Sequence, residues 1–574
     1  MVFDLNEMNR NDKKRIPIGF EDLKEIIDKN LYYVDKTGMI AEMLDNPAKV
    51  NLFTRPRRFG KTLNLSMIRR FFEKEIDCEG NLVDNGYLFK DLKISACGEK
   101  YLSHQGQYPV ISLSLKSAKQ PDYGMAYEAL KNVIRNEYNR HYYVLESTDL
   151  LESDKKTFRD ILENRGESIH YATALEFLSA CLEKYHHRKV IILIDEYDVP
   201  LENAYFAGFY ETMITFIRSL FESALKTNPH LEFAVITGCL RISRESIFTG
   251  LNNLNIYSIQ GVRYAQYFGF TQQETDRILS YYGLEEKREE IRQWYDGYRF
   301  GKTEIYNPWS IVKYMNDTLE DIETFPKPYW SNTSSNSIIR ELVERADMAT
   351  RQEIELLIAG GTIEKPVHED ITYEDIYKNQ DNLWNFLYFT GYLKEVDRRM
   401  EERTIYLTLA LPNEEVKYIY EHTIREWTDQ KLHRTDLSAL FSAIENGDCE
   451  TFEDIVSQQL LDTISFYDYQ ESYYHGFLTG LLKLSQKYQI ISNRESGNGR
   501  PDILMKSPSI RGGAVILELK VADRFDQMAE KCGTALEQIE ENHYEAGLRA
   551  EGYQRILRYG ICFYRKECMV RCSS

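Results

Sequence analysis

Short apolar runs alternate along the first half of this chain with longer stretches in which apolar residues recur every three or four positions. Four of the runs, at 50–54, 108–115, 189–195 and 231–237, predict buried β-strands. The periodic stretches predict helices: two short ones within 16–28 and 40–44, one carrying Leu63, Leu65, Met67, Ile68, Phe71 and Phe72, mixed-charge helices over 125–187, and one over 210–226. Strands separated by helices predict an α/β fold around a parallel sheet.

Past residue 250 the pattern changes. Leu251-Asn-Asn-Leu254 and 267–275 open a helical segment, with Thr271 as N-cap and Glu274 closing a capping box, and the segment runs on through 294–301 and 305–310. A helix stopped by Gly391 and the alternating run 404–412 predict a small strand pair in a helical, winged-helix-like middle region. From 437 onward come two amphipathic helices (437–444 and 452–461), a helix from Glu471, strands at 501–505 and 514–521, a helix bearing Gln538, and a last strand at 559–564.

The first strand runs into Arg55-Pro-Arg-Arg-Phe-Gly-Lys-Thr62 and then a helix, the layout of a phosphate-binding loop. Backbone N–H groups at a helix N-terminus hold phosphate oxygens, a Lys ammonium reaches the terminal phosphates, and a Thr hydroxyl ligates the accompanying Mg²⁺. Lys61 and Thr62 are the candidates for the last two roles. Arg55 and Pro56 stand where the general motif opens on glycine, so the loop must begin differently. The third strand ends in Asp195-Glu196, a Walker B pattern: Asp195 to hold Mg²⁺, Glu196 to orient the attacking water. The fourth ends in Thr237, a candidate γ-phosphate sensor, and is followed by Arg241 and Arg244, candidate arginine fingers.

In the C-terminal part, Glu518-Leu-Lys520 lies in an apolar strand, so Glu518 and Lys520 project to one face while Leu517 and Leu519 enter the core. Asp502 on the preceding strand can reach the same point. Two carboxylates would bind Mg²⁺ against a scissile phosphate and Lys520 would help position water. Glu471 and Gln538 would support them, and His475 is expected to pack its helix.

Composition narrows the field. The 574 residues are enough for roughly three or four domains, and 43% hydrophobic content supports real cores. A formal charge of −19 argues against indiscriminate coating of duplex DNA, so any nucleic-acid contact is local. The nine cysteines show no zinc spacing and read as reduced thiols. No signal peptide and no long apolar segment is evident, which predicts a cytoplasmic protein without a membrane partner.

Pro17-Ile-Gly-Phe-Glu-Asp-Leu23, Tyr32-Tyr-Val-Asp-Lys-Thr37 and the Arg55–Thr62 loop resemble the bacterial AAA-ATPase-like family that carries a C-terminal PD-(D/E)XK nuclease domain. In that family the Arg-rich loop is itself the pattern. The resemblance implies an AAA-like (ASCE-type) P-loop core at 1–260, a helical lid at 261–340, an adaptor at 341–436 and a restriction-endonuclease-like domain at 437–574. It implies ATP and Mg²⁺ as cofactors, with Arg58, Phe59, Gly60, Lys61, Thr62, Leu63, Asp195, Thr237 and Arg241 at the nucleotide. Metal would fall to Thr62, Asp195, Glu471, Asp502 and Glu518, and catalysis to Glu196, Asp502, Glu518, Lys520 and Gln538. The expected function is ATP-coupled, metal-dependent cleavage of nucleic acid, with DNA as the first substrate and RNA open, in defence or mobile-element biology, and with a homo-oligomer as an option. The alternative is an ATP-switched binding regulator whose nuclease fold does not cut.

Overall fold

The computed structural model describes residues 13–240 apart from 78, 253–330, 339–368 apart from 341, 343 and 345, 379–434, 437–462, 470–485, 487–492 and 500–573. The chain divides into two compact units: Met1–Ser335 with Thr362–Tyr418, and Asn336–Gly361 with Ile419–Ser574.

The first unit is built on a five-stranded parallel sheet. Strands β1 (Val50–Thr54), β2 (Val110–Ser114), β3 (Val190–Asp195), β4 (Leu231–Gly238) and β5 (Leu254–Tyr257) lie in the order β2-β3-β4-β1-β5. Every residue of β1 and β3 is buried, as parallel strands between helical layers must be. Short helices α1 (Leu23–Asp28) and α2 (Gly38–Asp45) precede β1, and α3 (Lys61–Phe72), α4 (Tyr123–Arg140) and α5 (Ala174–His186) pack on the sheet. The phosphate-loop strand β1 and the acid-bearing β3 are not neighbours, because β4 lies between them.

Strand β5 corrects the helical reading at Leu254, while Leu251 and Asn252 lie outside the described residues. Leu254-Asn-Ile-Tyr257 is too short to show a period of its own, but it pairs along β1 and satisfies backbone groups that would otherwise be an open edge. The segment beyond holds α6 (Gln272–Tyr282), α7 (Arg288–Tyr295) and α8 (Pro308–Glu320). The Thr271–Glu274 capping box is present at α6. Between α7 and α8 the helical reading fails again. Tyr298–Phe300 (β6) and Thr303–Ile305 (β7) form an antiparallel hairpin, with Tyr298 and Phe300 buried and Arg299 exposed in strand alternation. Strand β8 (Ile363–Val367), helix α9 (Gln380–Phe389), and strands β9 (Lys394–Glu401) and β10 (Thr404–Ala410) follow. They form a three-stranded antiparallel sheet, β8-β10-β9, one strand more than the expected pair. Helix α10 (Glu414–Arg434) begins in the first unit and ends in the second, so residues 341–436 are shared between the units.

The second unit contains a helix at Met348–Ile358 and then α11 (Ser438–Asn446), α12 (Cys449–Asp462) and α13 (Glu471–Lys483). Its mixed sheet runs β11 (Gln489–Ser492), β12 (Ile503–Lys506), β13 (Ala514–Val521), β14 (Ile556–Tyr564) and β15 (Glu567–Ser573) in sequential order. Only the β13–β14 pair is parallel, and α14 (Met528–Glu541) makes that crossover. Strand β15 extends the expected ending at 564, returning as an antiparallel partner of β14. Among the described residues no helix is long and apolar enough to cross a membrane.

Candidate functional site

The phosphate-loop candidate turns on two left-handed residues, Arg58 (φ 71°) and Gly60 (φ 82°), before α3 begins at Lys61. No side chain caps α3, so its first-turn N–H groups face the cleft without a side-chain acceptor. Lys61 is buried and its Nζ donates to the carbonyls of Arg55 (3.0 Å) and Pro56 (3.1 Å). Burial alone would depress the ammonium, yet Cys239, Glu196, Asp198 and Asp195 around it hold its pKa above the ordinary value.

Arg55 shows how the loop opens without glycine. Its side chain is fully buried, directed under the loop between Phe268 (5.0 Å) and Phe300 (5.2 Å), and it donates to the carbonyls of Thr54 and Tyr257. Burial without a carboxylate pushes its guanidinium down to about 9. Phe59 is also fully buried, edge-on to Tyr298, and its carbonyl accepts from Gly269 N–H. Arg58 lies over the Trp309 ring at 4.2 Å.

The acidic strand meets this loop directly. Thr62 Oγ1 donates to Asp195 Oδ2 at 2.7 Å, and Thr237 Oγ1 donates to Asp195 Oδ1. Burial raises the Asp195 carboxyl and the two hydroxyls partly offset it. Glu196 lines the cleft from a left-handed backbone (φ 53°), a conformation that costs a non-glycine residue energy and is concentrated at functional sites. Asp198, which sequence reasoning did not single out, accepts from the Cys239 (2.7 Å) and Leu240 (3.0 Å) N–H groups and so fixes the chain just after Thr237. Burial pushes its carboxyl up to about 6. Arg241 and Arg244 lie outside the described residues.

A cleft of about 330 Å³ is lined by Lys61, Thr62, Leu63 and Glu196 together with the apolar Tyr32, Phe270, Ile278 and Trp309. The polar part of this lining suits phosphates and a hard cation, and the apolar part suits a planar apolar group. The side-chain oxygens of Thr62 and Asp195 fit Mg²⁺.

The second unit brings together Asp502, Glu518, Lys520 and Gln538. The β12–β13 register pairs Ile503 with Leu517, which sets Asp502 beside Glu518. Asp502 Oδ2 accepts from Leu519 N–H at 2.8 Å, Lys520 Nζ lies 3.4 Å from Glu518 Oε1, and Gln538 Nε2 donates to the same oxygen. Leu517 and Leu519 are fully buried, as the strand alternation required. Gln538 reaches the strand because α14 sits low over β14. Gly560 pairs with Glu518, and a Cβ at 560 would stand 2.2 Å from the Cys532 carbonyl. Glu518 is 2% exposed; burial first, and the Asp502 charge second, push its carboxyl up to about 7. Two carboxylates with this separation of roles fit a hard divalent cation.

Glu471 is not drawn in. It is exposed at the first residue of α13, and among the described residues no group of three or more His, Cys, Asp or Glu gathers as a metal cluster. One turn further on, His475 does face the site: its Nε2 is 2.9 Å from the Asp502 carbonyl and 2.9 Å from Ser492 Oγ. A protonated Nε2 donates to that carbonyl, whereas an unprotonated Nε2 accepts from the Ser492 hydroxyl. Sequence reasoning read His475 as packing, and nothing within its own helix marks the partner.

Residues 17–248 match the family model described as predicted AAA-ATPase, and residues 469–572 match that of the PD-(D/E)XK nuclease superfamily. The chain is also similar to an uncharacterized protein in the vnfD 5′ region of Azotobacter chroococcum mcd 1, 28% identical over 338 residues. That match covers 58% of this chain and 56% of the relative, so the chain spans little more than half of the protein it resembles.

Proposed function

We propose that this chain, an AAA-ATPase-like segment followed by a PD-(D/E)XK nuclease superfamily domain, binds ATP with Mg²⁺ in its first unit and thereby controls metal-dependent cleavage of nucleic acid by its second. The observation that carries this reading is that each unit gathers its own phosphate-and-cation chemistry. In the first, Lys61, Thr62, Asp195 and Thr237 converge on an uncapped helix N-terminus. In the second, Asp502, Glu518, Lys520 and Gln538 converge on one strand.

In the first unit Lys61 would bind the terminal phosphates, Thr62 and Asp195 would hold Mg²⁺, and Thr237 would keep Asp195 oriented. Glu196 would accept the proton of the attacking water. In the second unit Asp502 and Glu518 would hold Mg²⁺, which supplies Lewis-acid stabilisation of the charge developing on the phosphate. Lys520 would hold the attacking water, Gln538 would fix the Glu518 rotamer, and His475 would fix the Asp502 peptide. DNA is the first substrate to test. A cytoplasmic setting and a role in defence or mobile-element biology belong to the same proposal.

The test is cleavage of plasmid, single-stranded DNA and RNA with Mg²⁺ or Mn²⁺, with and without ATP, by the wild type, Lys520→Ala and Lys61→Ala. Cutting should vanish in Lys520→Ala, and its ATP response should vanish in Lys61→Ala. Lys61→Ala should also weaken ATP binding by about 10–100-fold, the value of a charge-assisted hydrogen bond of about 1.5–3 kcal/mol. ATP binding without cutting of any substrate would favour the non-cleaving regulator.

A further inference from the structure

Within the first unit, the phosphate loop is gripped by the helical segment that follows it. Trp309, the second residue of α8, carries the Arg58 guanidinium on its ring at 4.2 Å. Gly391, just past α9, approaches Pro56 so closely that a Cβ there would lie 3.0 Å from the proline ring. Phe59 is wedged against the β6 hairpin, and its carbonyl holds Gly269 N–H.

The same segment grips a second stretch, residues 412–416, where α10 starts. Ser310, next to Trp309, donates its hydroxyl to Glu415, with oxygens 2.8 and 3.0 Å away, and Trp330 N–H donates to Glu415 Oε1 at 2.9 Å. Asn413 donates from Nδ2 to the Asp296 carbonyl at 2.6 Å, and its Oδ1 accepts from Val416 N–H at 3.0 Å. Gly297 (φ 92°) leaves only 2.0 Å between a built Cβ and the Pro412 carbonyl, so no larger residue fits. Glu415 is fully buried although it is a carboxyl group. An isolated buried carboxyl costs free energy, so one held by a hydroxyl and a backbone N–H marks a contact that the fold maintains at a cost. Trp309 and Ser310 are adjacent in α8, so one helix turn touches the phosphate loop with one residue and the start of α10 with the next.

We infer that the 412–416 stretch is the transmission point of the nucleotide site: a shift of the phosphate loop on ATP binding passes through the first turn of α8 to Glu415, which positions α10. Helix α10 continues past Tyr418 into the second unit, so it is one of the three covalent passages between the units, and the one by which we take a nucleotide signal to leave the first. The inference rests on the ATP-binding reading above and adds the regulation of that site. Its mechanical basis is that buried polar contacts and close glycine approaches have few alternative arrangements, so the loop cannot move without changing them.

Hydrogen–deuterium exchange on the full chain tests it, with Mg²⁺ and a slowly hydrolysed ATP analogue as the probe. In the wild type, peptides over 55–65 and over 408–420 should both exchange several-fold more slowly with the probe. In Ser310→Ala and Glu415→Ala the 55–65 response should persist while the 408–420 response falls at least by half. Glu415→Gln, which keeps an acceptor oxygen, should restore it. Ser310→Ala removes a single hydroxyl, so its variant stays informative if Glu415→Ala does not fold. A wild-type response at 55–65 with none at 408–420 would overturn the inference alone, as would a 408–420 response that survives in both variants. No response at 55–65 would overturn the ATP-binding reading and the inference with it.

Discussion

Glu518 is nearly closed off from water and stands beside a second carboxylate, so its pKa of about 7 places its ionisation in the neutral range. Between its ordinary value of 4.5 and about 7 the folded chain binds the proton that the unfolded chain has lost, so this group costs stability as pH rises through that window. A cation at Asp502 and Glu518 must displace that proton. Calorimetric titration with Mg²⁺ in buffers of different ionisation enthalpy should therefore register close to one proton released per site at pH 6 and almost none at pH 8.5, and the release should disappear in Glu518→Gln. Glu415 behaves alike for a different reason. Burial comes first among its causes, and the Trp330 N–H and Ser310 hydroxyl only partly offset it, leaving its carboxyl at about 8. Its cost accrues from pH 4.5 to about 8, so the wild-type Tm should fall between pH 6 and 9 while that of Glu415→Gln stays flatter. Equal slopes in the two proteins would show that Glu415 ionises in the fold as readily as in the unfolded chain.

At the scale of elements, short-range order was legible and long-range order was not. Gly60-Lys61-Thr62 and Glu518-Leu519-Lys520 carry their meaning within one turn or one strand, so their layout could be read directly. Gln538 and Thr237 could be placed by order along the chain, since each follows a recognisable strand. Strands β5, β8 and β15 escaped because each is made by its neighbour. Leu254-Asn-Ile-Tyr257 is extended because β1 offers an edge, and Glu567–Ser573 because β14 does. The burial of Arg55 and the contacts of His475 and Glu415 were invisible for a related reason: their partners lie far away in sequence. Gly560 belongs here too, for it reads as an ordinary strand glycine until α14 is packed upon it. Gly560→Val should lift α14, separate Gln538 from Glu518 and cost about 1–3 kcal/mol of stability, seen as a lower denaturation midpoint together with weakened cleavage. Gln538→Ala should weaken cleavage with little loss of stability, which separates the packing effect from the chemical one.

For the molecule as a whole, the division into units does not follow the order of the chain. Helix Met348–Ile358 belongs to the second unit, where Glu355 pairs with Lys566 at 2.7 Å and Arg351 donates to the Leu461 carbonyl at 3.2 Å. Its Ile354, Leu357 and Ile358 are buried, each side chain worth about 1.5–3 kcal/mol of transfer free energy. A fragment of residues 419–574 should accordingly melt below the second unit of the full chain and bind a hydrophobic dye, and a synthetic peptide of residues 336–361 should raise its Tm. No effect of the peptide would mean that the unit stands without this helix. The same arrangement governs how the protein is made. A ribosome delivers residues in order, so this apolar helix emerges before residues 362–418, which fold into the first unit, and it waits for β15 before its own unit can close. Until then the polypeptide carries a half-finished second unit with its greasy strip uncovered, which makes the arrival of β15, rather than that of the strand bearing Glu518, the event that first lets this unit close.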